Sequence, residues 1–392
     1  MKSFDLESLS LQSFLQSLHK EQWQEVRLGE VAEIVNGYAF KSKEFLNIQQ
    51  RDSLPIIKIK NVANGDVNLN DVVFYPYSKQ LEKFLIKYGD ILVSLTGNHP
   101  QAQSQVVGQI SKYKYKQFAL LNQRVAKIVT KDAEQDFLYY LLKTNKIHNI
   151  LASHSSGSAN QANISSKDIE NLTIPLPPLT IQQKIAEILS SFDDKIDLLH
   201  RQNKTLESLA LTLFRHYFID NPKRDEWELG KLGDYVKIAS GKPLEKRFYN
   251  ENGCYEILGA NGAVGKTNKF LCDEKLIYTG RVGTLGKIFL IDYPRKVWLS
   301  DNTLIFRTND SSLYFVYFLL QDLKLENYDV GSTQPLIRQG DLLQIHIRKP
   351  NNILILEFNK QAKMYFEKTS HNAKQIQNLQ AMRDMLLKAI FA

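Results

Sequence analysis

The chain has 392 residues, 43% hydrophobic and 23% charged, a balance that excludes a long disordered tract and is too long for one ordinary core. Fifty Lys and Arg against 42 Asp and Glu leave a formal charge of +8, which favours a polyanionic partner. Two cysteines, Cys254 and Cys272, with neither a CxxC pair nor a His at ligand spacing, exclude a zinc ribbon or a disulfide framework and point to a reducing cytoplasm.

Taken in chain order, the first 20 residues predict an amphipathic helix over 4–19, through Leu6, Leu9 and Leu15 with Phe14 and Leu18 alongside. Asp5 and Glu7 interrupt its apolar pattern, so it lacks the h-region of a signal peptide. No apolar run reaches the ~18 residues of a membrane span. Residues 1–179 then read as one globular domain, in which LPIIKIKNV, GDILVSLTG and QRVAKIVT are strand-like runs separated by Gly, Asn and Asp. DFLYYLLKT from Asp136 reads as a packing helix. Residues 180–220 follow as a long helix, with Pro177 and Pro178 ending a strand and Thr180 available as a cap.

Residues 221–351 form a second domain of the same kind. Its strand-like runs are EKLIYTG, GKIFLID and NTLIFRT, and its packing helix is SLYFVYFLLQD from Ser312. Residues 352–392 close the chain as a second long helix. The order of elements repeats, and so do the residues. WQEVRLGEVAEIVNG from Trp23 matches WELGKLGDYVKIASG from Trp227, 204 positions on, with Leu-Gly-acid five residues after each Trp and Gly fourteen after it. GSANQANISSKDIENLTIPLP matches GSTQPLIRQGDLLQIHIRKP so that Asp168 faces Asp341, and the 173-residue offset continues through Leu206 and Leu379 into the long helices. Three matches in one order identify a duplication. The expected fold is α+β: two mixed β-rich domains and two long helices, with a pseudo-two-fold internal repeat.

In the first long stretch apolar residues recur in steps of three and four through Ile181, Ile185, Ile188, Phe192, Ile196, Leu199, Leu206, Ala210, Leu213 and Tyr217, with Asn203 as a polar insertion and a stutter at Phe192 to Ile196. The second carries Phe358, Ala362, Tyr365, Thr369, Asn372, Ile376, Leu379 and Leu386. Each stripe needs a cover, so the expectation is an antiparallel coiled coil; two separate surface helices are the alternative. Ile181 to Tyr217 would span roughly 55 Å at 1.5 Å per residue, on the order of 16 base pairs.

At this point the residues resemble a known family. Two domains that open W-x-x-x-x-LG-[DE], end in GS-x-Q-x-x-I-x-x-x-D-[IL]-x-x-[IL] before a proline and each feed a long helix look like specificity subunits of type I restriction-modification systems. LPPLTIQQKIAEIL from Leu176 is similar to that family's most recognisable junction; its counterpart KPNNILILEFNKQA is degenerate. The resemblance implies a non-catalytic chain whose two target-recognition domains read the halves of a bipartite, asymmetric site on double-stranded DNA. It implies that the helices dock two methyltransferase subunits and that restriction subunits join them. It further implies that this chain binds no cofactor, S-adenosylmethionine belonging to the methyltransferase and ATP and Mg to the restriction partner. Localisation would be cytoplasmic, at the bacterial or archaeal nucleoid.

Base edges are read by Arg, Lys, Asn and Gln, and phosphates by Lys, Ser, Thr and backbone N–H groups. The candidates in the first domain are Asn36, Tyr38 and Lys41; Thr96, Asn98, Gln101 and Gln103; and Ser155, Ser158, Asn160 and Gln161. In the second they are Lys242, Lys246 and Arg247; Asn261 and Lys266; Arg281 and Thr284; and Ser332, Gln334 and Arg338. Each loop also reads as a plain turn, since Gly and Asn supply φ > 0. Trp23 and Trp227 are expected to pack rather than stack on bases, and none of the eight His residues has a catalytic setting.

Three other functions are weighed. ANGAVGKT, Ala260 to Thr267, passes for a relaxed P-loop and IFLID for a Walker B strand, but a P-loop opens a helix and strand-like sequence follows here. A methyltransferase would need a Gly-rich cofactor turn and a Pro-Pro-aromatic motif, and the chain's one Pro-Pro lies in LPPL. A coiled-coil scaffold without DNA contact explains the helices and leaves two basic domains without purpose.

Overall fold

The structure is a computed structural model that describes residues 13–62, 65–97, 106–155, 162–331 and 333–391. Its residues form two compact units, one comprising Met1–Ile196 with Asn378–Ala392 and the other Asp197–Gln377. Both are α+β, and both contain part of each long helix.

In the first unit the strand Gln24–Arg27 pairs antiparallel with Thr173–Leu176, so the domain's first and last strands are neighbours. Between them lie two four-stranded sheets. One is antiparallel, in the order Ala32–Asn36, Val125–Thr130, Ile91–Ser94 and Ile110–Lys112. Ile91–Ser94 is buried at every position, which explains its unbroken apolar run. The other runs Phe74–Pro76, Ser53–Ile57, Ala119–Leu121 and Leu85–Ile86, with its central pair parallel.

The second unit repeats this plan. Leu229–Lys231 pairs with His346–Arg348. Its first sheet runs Lys237–Ser240, Thr303–Arg307, Leu276–Gly280 and Ile288–Ile291; its second runs Gly262–Thr267, Tyr255–Gly259, Lys296–Leu299 and Cys272–Asp273, again with a parallel central pair. The helices Gln135–Leu142 and Leu313–Asp322 pack into the two cores, as their aromatic-aliphatic sequences predict. Trp23 and Trp227 pack too: Trp23 meets the Phe137 ring and donates Nε1–H to the Leu18 carbonyl at 3.0 Å, and Trp227 meets the Phe218 ring.

A ladder of matched backbone hydrogen bonds makes the repeat concrete. Gly37 N donates to Val125 O as Gly241 N does to Thr303 O; Tyr38 N to Leu121 O as Lys242 N to Leu299 O; Leu95 N to Arg124 O as Arg281 N to Asn302 O; Ile164 N to Leu95 O as Ile337 N to Arg281 O. The glycines fourteen residues beyond each Trp share one reason. A Cβ on Gly37 would lie 2.1 Å from the Asn122 carbonyl oxygen, and one on Gly241 would lie 2.0 Å from that of Ser300. Only a hydrogen fits where the backbones cross.

The long helices are Leu179–Phe214, continued by a π turn over Arg215–Ile219, and Asn352–Phe391. The first begins one residue before the expected cap: Ile181 N bonds to Pro178 O at 2.8 Å, and Thr180 falls inside the opening turn. The second is capped by Asn351, whose Oδ1 accepts from Ile353 N at 2.9 Å. In the first unit Ile185, Ala186 and Leu189 share a core with Leu386, Ile390 and Phe391, and Arg383 Nη1 meets Asp193 Oδ1 at 2.6 Å. In the second Asn203 meets Asn372, Phe214 meets Phe358 and the Tyr217 hydroxyl accepts from Gln361. Rising numbers on one helix meet falling numbers on the other, so the pairing within each unit is antiparallel.

The seam departs from the expected one. Ile185, Leu199, Ile376 and Leu386 are buried, whereas Ile188, Phe192, Leu206, Leu213 and Leu379 are half-buried and Leu189, Asp193, Phe214 and Phe218 are closed instead. A helix of 3.6 residues per turn drifts by ~20° per heptad from a 3.5-residue stripe, and the π turn adds a residue that brings Phe218 inward. At the N-terminus, residues 4–12 of the expected helix lie outside the described residues. Residues 13–16 are helical, but the chain then turns, with His19 at φ 40, to bury Leu18, so the helix does not reach 19.

Candidate nucleic-acid interface

The matched ladder gathers loops that are far apart in sequence. In the first domain the segments around 36–38, 95–97, 122–124 and 162–166 meet; in the second, those around 240–242, 280–284, 300–303 and 335–339. Strands fix the backbone, and the side chains beyond the last rung are free to differ.

In the first domain Asn36, Tyr38 and Thr96 come together. Tyr38 bridges to Asn122, and its half-exposed ring rests on Phe40 and Phe84 at centroid distances of 5.0 and 5.2 Å. Thr96 pairs with Asn163, and the Asn36 amide oxygen accepts from the Ser166 hydroxyl at 2.6 Å. Ser155 instead donates to Ala152 O at the end of the helix Asn145–Ser153. Lys41 forms an ion pair with Glu44 at 3.7 Å beside the aromatic cluster of the second sheet. Asn98, Gln101, Gln103, Ser158, Asn160, Gln161 and Ser332 lie outside the described residues.

In the second domain Lys242, Arg281, Thr284 and Arg338 converge. Trp298 Nε1 donates to the Lys242 carbonyl at 2.9 Å, and Arg281 is held through both backbone groups with its guanidinium 3.5 Å from Ser240 Oγ. Val282 bridges to Leu336 and Gly283 N bonds to Pro335 O, which ties Gln334 and Arg338 to the same place. The hairpin tip carrying Asn261 also arrives there: Ala260 lies 2.9 Å from the position of a Cβ on Gly280, and Lys287 Nζ donates to Asn261 Oδ1 at 3.1 Å. Lys246, Arg247 and Lys266 stay with the second sheet. ANGAVGKT is the turn and return strand of this hairpin, with no helix behind it to hold a nucleotide.

Carboxylates brace the loops. Asp329 Oδ1 accepts from Leu336 N and Gly331 N, both at 2.8 Å, and those two donors hold its carboxyl below the usual range. In the first domain the Ser165 hydroxyl and backbone N–H hold Asp168 below its ordinary value in a capping box at the helix Ser166–Glu170. Asp168 and Asp341, matched in sequence, both fall in the first turn of equivalent short helices, but only Asp168 caps its helix; the second, after Arg338, has no side-chain cap.

Sequence reasoning missed Arg124 and Asn302, which occupy equivalent exposed turns, and Ser166 and Gln339, whose side chains reach Asn36 and Ile238 on the edge strand of the first sheet in both copies. Arg124 was hidden in a run that reads as strand; the signal was its position one residue before β-branched Val125. The backbone slot of Leu95, buried in the first core, holds Arg281 in the second. Among the described residues there is no group of three or more His, Cys, Asp and Glu placed to hold a metal ion, and no helix is long and apolar enough to cross a membrane.

A doubled scaffold with divergent loops and a helical pair has a counterpart among known proteins. Residues 20–208 and 224–362 match the model of the type I restriction modification DNA specificity domain. The chain belongs to this family, the specificity subunits of type I restriction-modification systems. It is 28% identical to the MjaIX specificity subunit of Methanocaldococcus jannaschii over 86% of this chain and 89% of that one. It is 31% identical to the EcoBI specificity subunit of Escherichia coli over 47% of this chain and 35% of that one. The fold is that of the type I restriction-modification S subunit from M. genitalium, with a TM-score of 0.61 over 95% of this chain and 96% of that one at 18% identity. Its relatives are named for specificity, and its role is recognition within a multi-subunit system rather than catalysis.

Proposed function

We propose that each domain reads one half of a bipartite, asymmetric DNA sequence through its loop cluster, and that the paired helices set the gap and carry the partners. The observation that supports this most is the substitution of Arg281 for Leu95 on an otherwise matched backbone ladder. One scaffold presents two different chemistries, and two different chemistries select two different half-sites. The partners in this reading are two methyltransferase subunits and the restriction subunits. S-adenosylmethionine resides on the former and ATP with Mg on the latter, with no cofactor on this chain, and the assembly works on the nucleoid in the cytoplasm.

The test is co-expression with the neighbouring methyltransferase, followed by genome-wide mapping of methylated adenines. The expected motif has two unlike halves around a fixed gap. A single contiguous motif, or methylation without sequence preference, overturns the proposal.

A further inference from the structure

The two domains differ most on the outer face of the second sheet, the side turned away from each core. In the first domain that face is roofed. Ile56 and Leu120 are fully buried beneath Tyr75 and Leu81, with Phe40, Phe45 and Phe84 completing the layer. The second domain has a smaller cover: 58 positions separate Gly37 from Leu95 but 40 separate the matched Gly241 from Arg281, and although Ile257, in the place of Ile56, is buried beside half-buried Trp298, the face around them carries exposed Lys269, Phe270 and Lys296.

The exposed part of that face is lined by cations lying on aromatic rings. Lys269 Nζ stands 3.3 Å from the Phe248 ring centroid, with the Arg247 guanidinium over the same ring at 4.9 Å. Lys296 Nζ stands 4.8 Å from the Phe270 centroid and 5.9 Å from that of Tyr255. The Tyr255 and Phe270 rings touch at 5.8 Å, and Phe270 follows Lys269, so the two groups form one patch. Lys296 alternates with buried Val297 and Leu299, which fixes its outward direction. Counting from the matched pair Leu121 and Leu299, the first domain has Phe118 in its place.

Lys269 and Lys296 are both exposed, and neither forms an ion pair with a carboxylate among the described residues. Arg247 pairs with Glu245 at 2.9 Å, Arg295 with Glu256 at 2.7 Å and Arg307 with Glu274 at 2.8 Å, so those three acids are committed, and Asp273, across the strand pair from Lys296, forms no ion pair with it. A ring orders an ammonium group without neutralising it. The charge and its N–H donors remain available to an anion, and a spaced row of such cations complements a chain of phosphates.

We propose that this face is a second contact with the target duplex, in which Lys269 and Lys296 hold backbone phosphates beside the half-site read by the second domain. In the first domain Phe118 stands in the place of Lys296, and the ring-borne cation is the single Lys58, 4.3 Å from the centroid of Phe45 in the apolar layer. The inference rests on the DNA-reading function above and goes beyond it in assigning a sequence-independent role to two named lysines of the second domain.

The test uses the full chain and two fluorescent duplexes, one carrying the mapped target and one of scrambled sequence, titrated between roughly 50 and 200 mM salt. The Lys269→Gln/Lys296→Gln variant is expected to weaken binding to both duplexes by the same factor. It should also lower the slope of log K against log salt by about 2, near one unit for each phosphate the variant no longer holds. Lys269→Arg/Lys296→Arg should keep the slope, and an unchanged circular dichroism melt establishes that both variants fold. An unchanged slope in the Gln variant, or a weakening confined to the target duplex, overturns the proposal. Failure of the parent chain to prefer its target would instead count against the half-site reading.

Discussion

Asn372 Nδ2 donates to Asn203 Oδ1 at 2.8 Å, joining the two long helices through a pair of amides in the second unit, where Asn372 is fully buried. Gln202 Oε1 stands 3.4 Å from the same nitrogen, while Asn372 Oδ1 has no partner. A polar pair in an apolar seam is satisfied in one register only, so it selects that register at some expense of stability.

Removing one amide should therefore be worse than removing both. Asn203→Leu strips the buried Asn372 donor of its closest acceptor and should destabilise by about 1–3 kcal/mol. Asn203→Leu/Asn372→Leu should recover most or all of that loss. Guanidinium melts of both variants and the parent decide it, and a double variant less stable than the single would refute the register role.

Gly37→Ala and Gly241→Ala should each cost on the order of 3 kcal/mol, because the added methyl meets a carbonyl oxygen that is itself part of the ladder. Equal losses measured by denaturant unfolding would show that the two crossings are equivalent. A loss below about 0.5 kcal/mol at either, the ordinary range for surface changes, would remove the steric argument.

Arg281→Ala should relax base preference at one half-site and cost about 1–3 kcal/mol of discrimination there. Methylome mapping of the variant checks this. A loss spread evenly over unrelated sequences would make Arg281 a phosphate contact.

Alkaline pH should unfold the protein early. Burial pushes Tyr235 and Tyr278 up to about 12 and raises Tyr113 and Tyr140 further, with Asp193 adding to the effect at Tyr140. A phenol raised in the folded state contributes stability that is complete below its unfolded value, near 10, and is lost as pH rises toward the folded value. Denaturant midpoints should fall between pH 10 and 12, with Tyr140→Phe flattening the fall; a flat profile would contradict the burial of these rings.

Seven residues inserted into both long helices, one segment beside Gln202 and the other beside Asn372, should move the preferred gap by about 3 base pairs, since a heptad adds roughly 10 Å. An insertion in one helix alone breaks the amide pair and should lower stability instead. A methylome with the gap unchanged in the double insertion would refute the ruler.

Much of this was legible because duplication writes each constraint twice. Trp23 and Trp227 mark matched packing positions and the two glycines mark the crossings where only a hydrogen fits, and there sequence and structure agree. The seam was less legible, because Phe218 enters the core through a π turn that apolar spacing does not announce. The site was legible as loops and not as residues. Thr96 and Asn163 are 67 positions apart and meet only because their strands pair, and no local pattern encodes that encounter. Lys269 and Lys296 stayed hidden because a lysine beside an aromatic residue reads like any solvated surface until the rings are placed.

The pairing of Gln24–Arg27 with Thr173–Leu176, and of Leu229–Lys231 with His346–Arg348, brings the chain into and out of each reading domain through a single doorway. What lies between the door posts can be exchanged as a cassette so long as the packing helix keeps its contacts with the long ones, Tyr140 with Asp193 in the first domain and Tyr314 with Asn359 in the second. A gene encoding such a chain can acquire a new half-site by swapping one interior for another in a single recombination event, whereas reshaping the old interior residue by residue would pass through intermediates that recognise nothing.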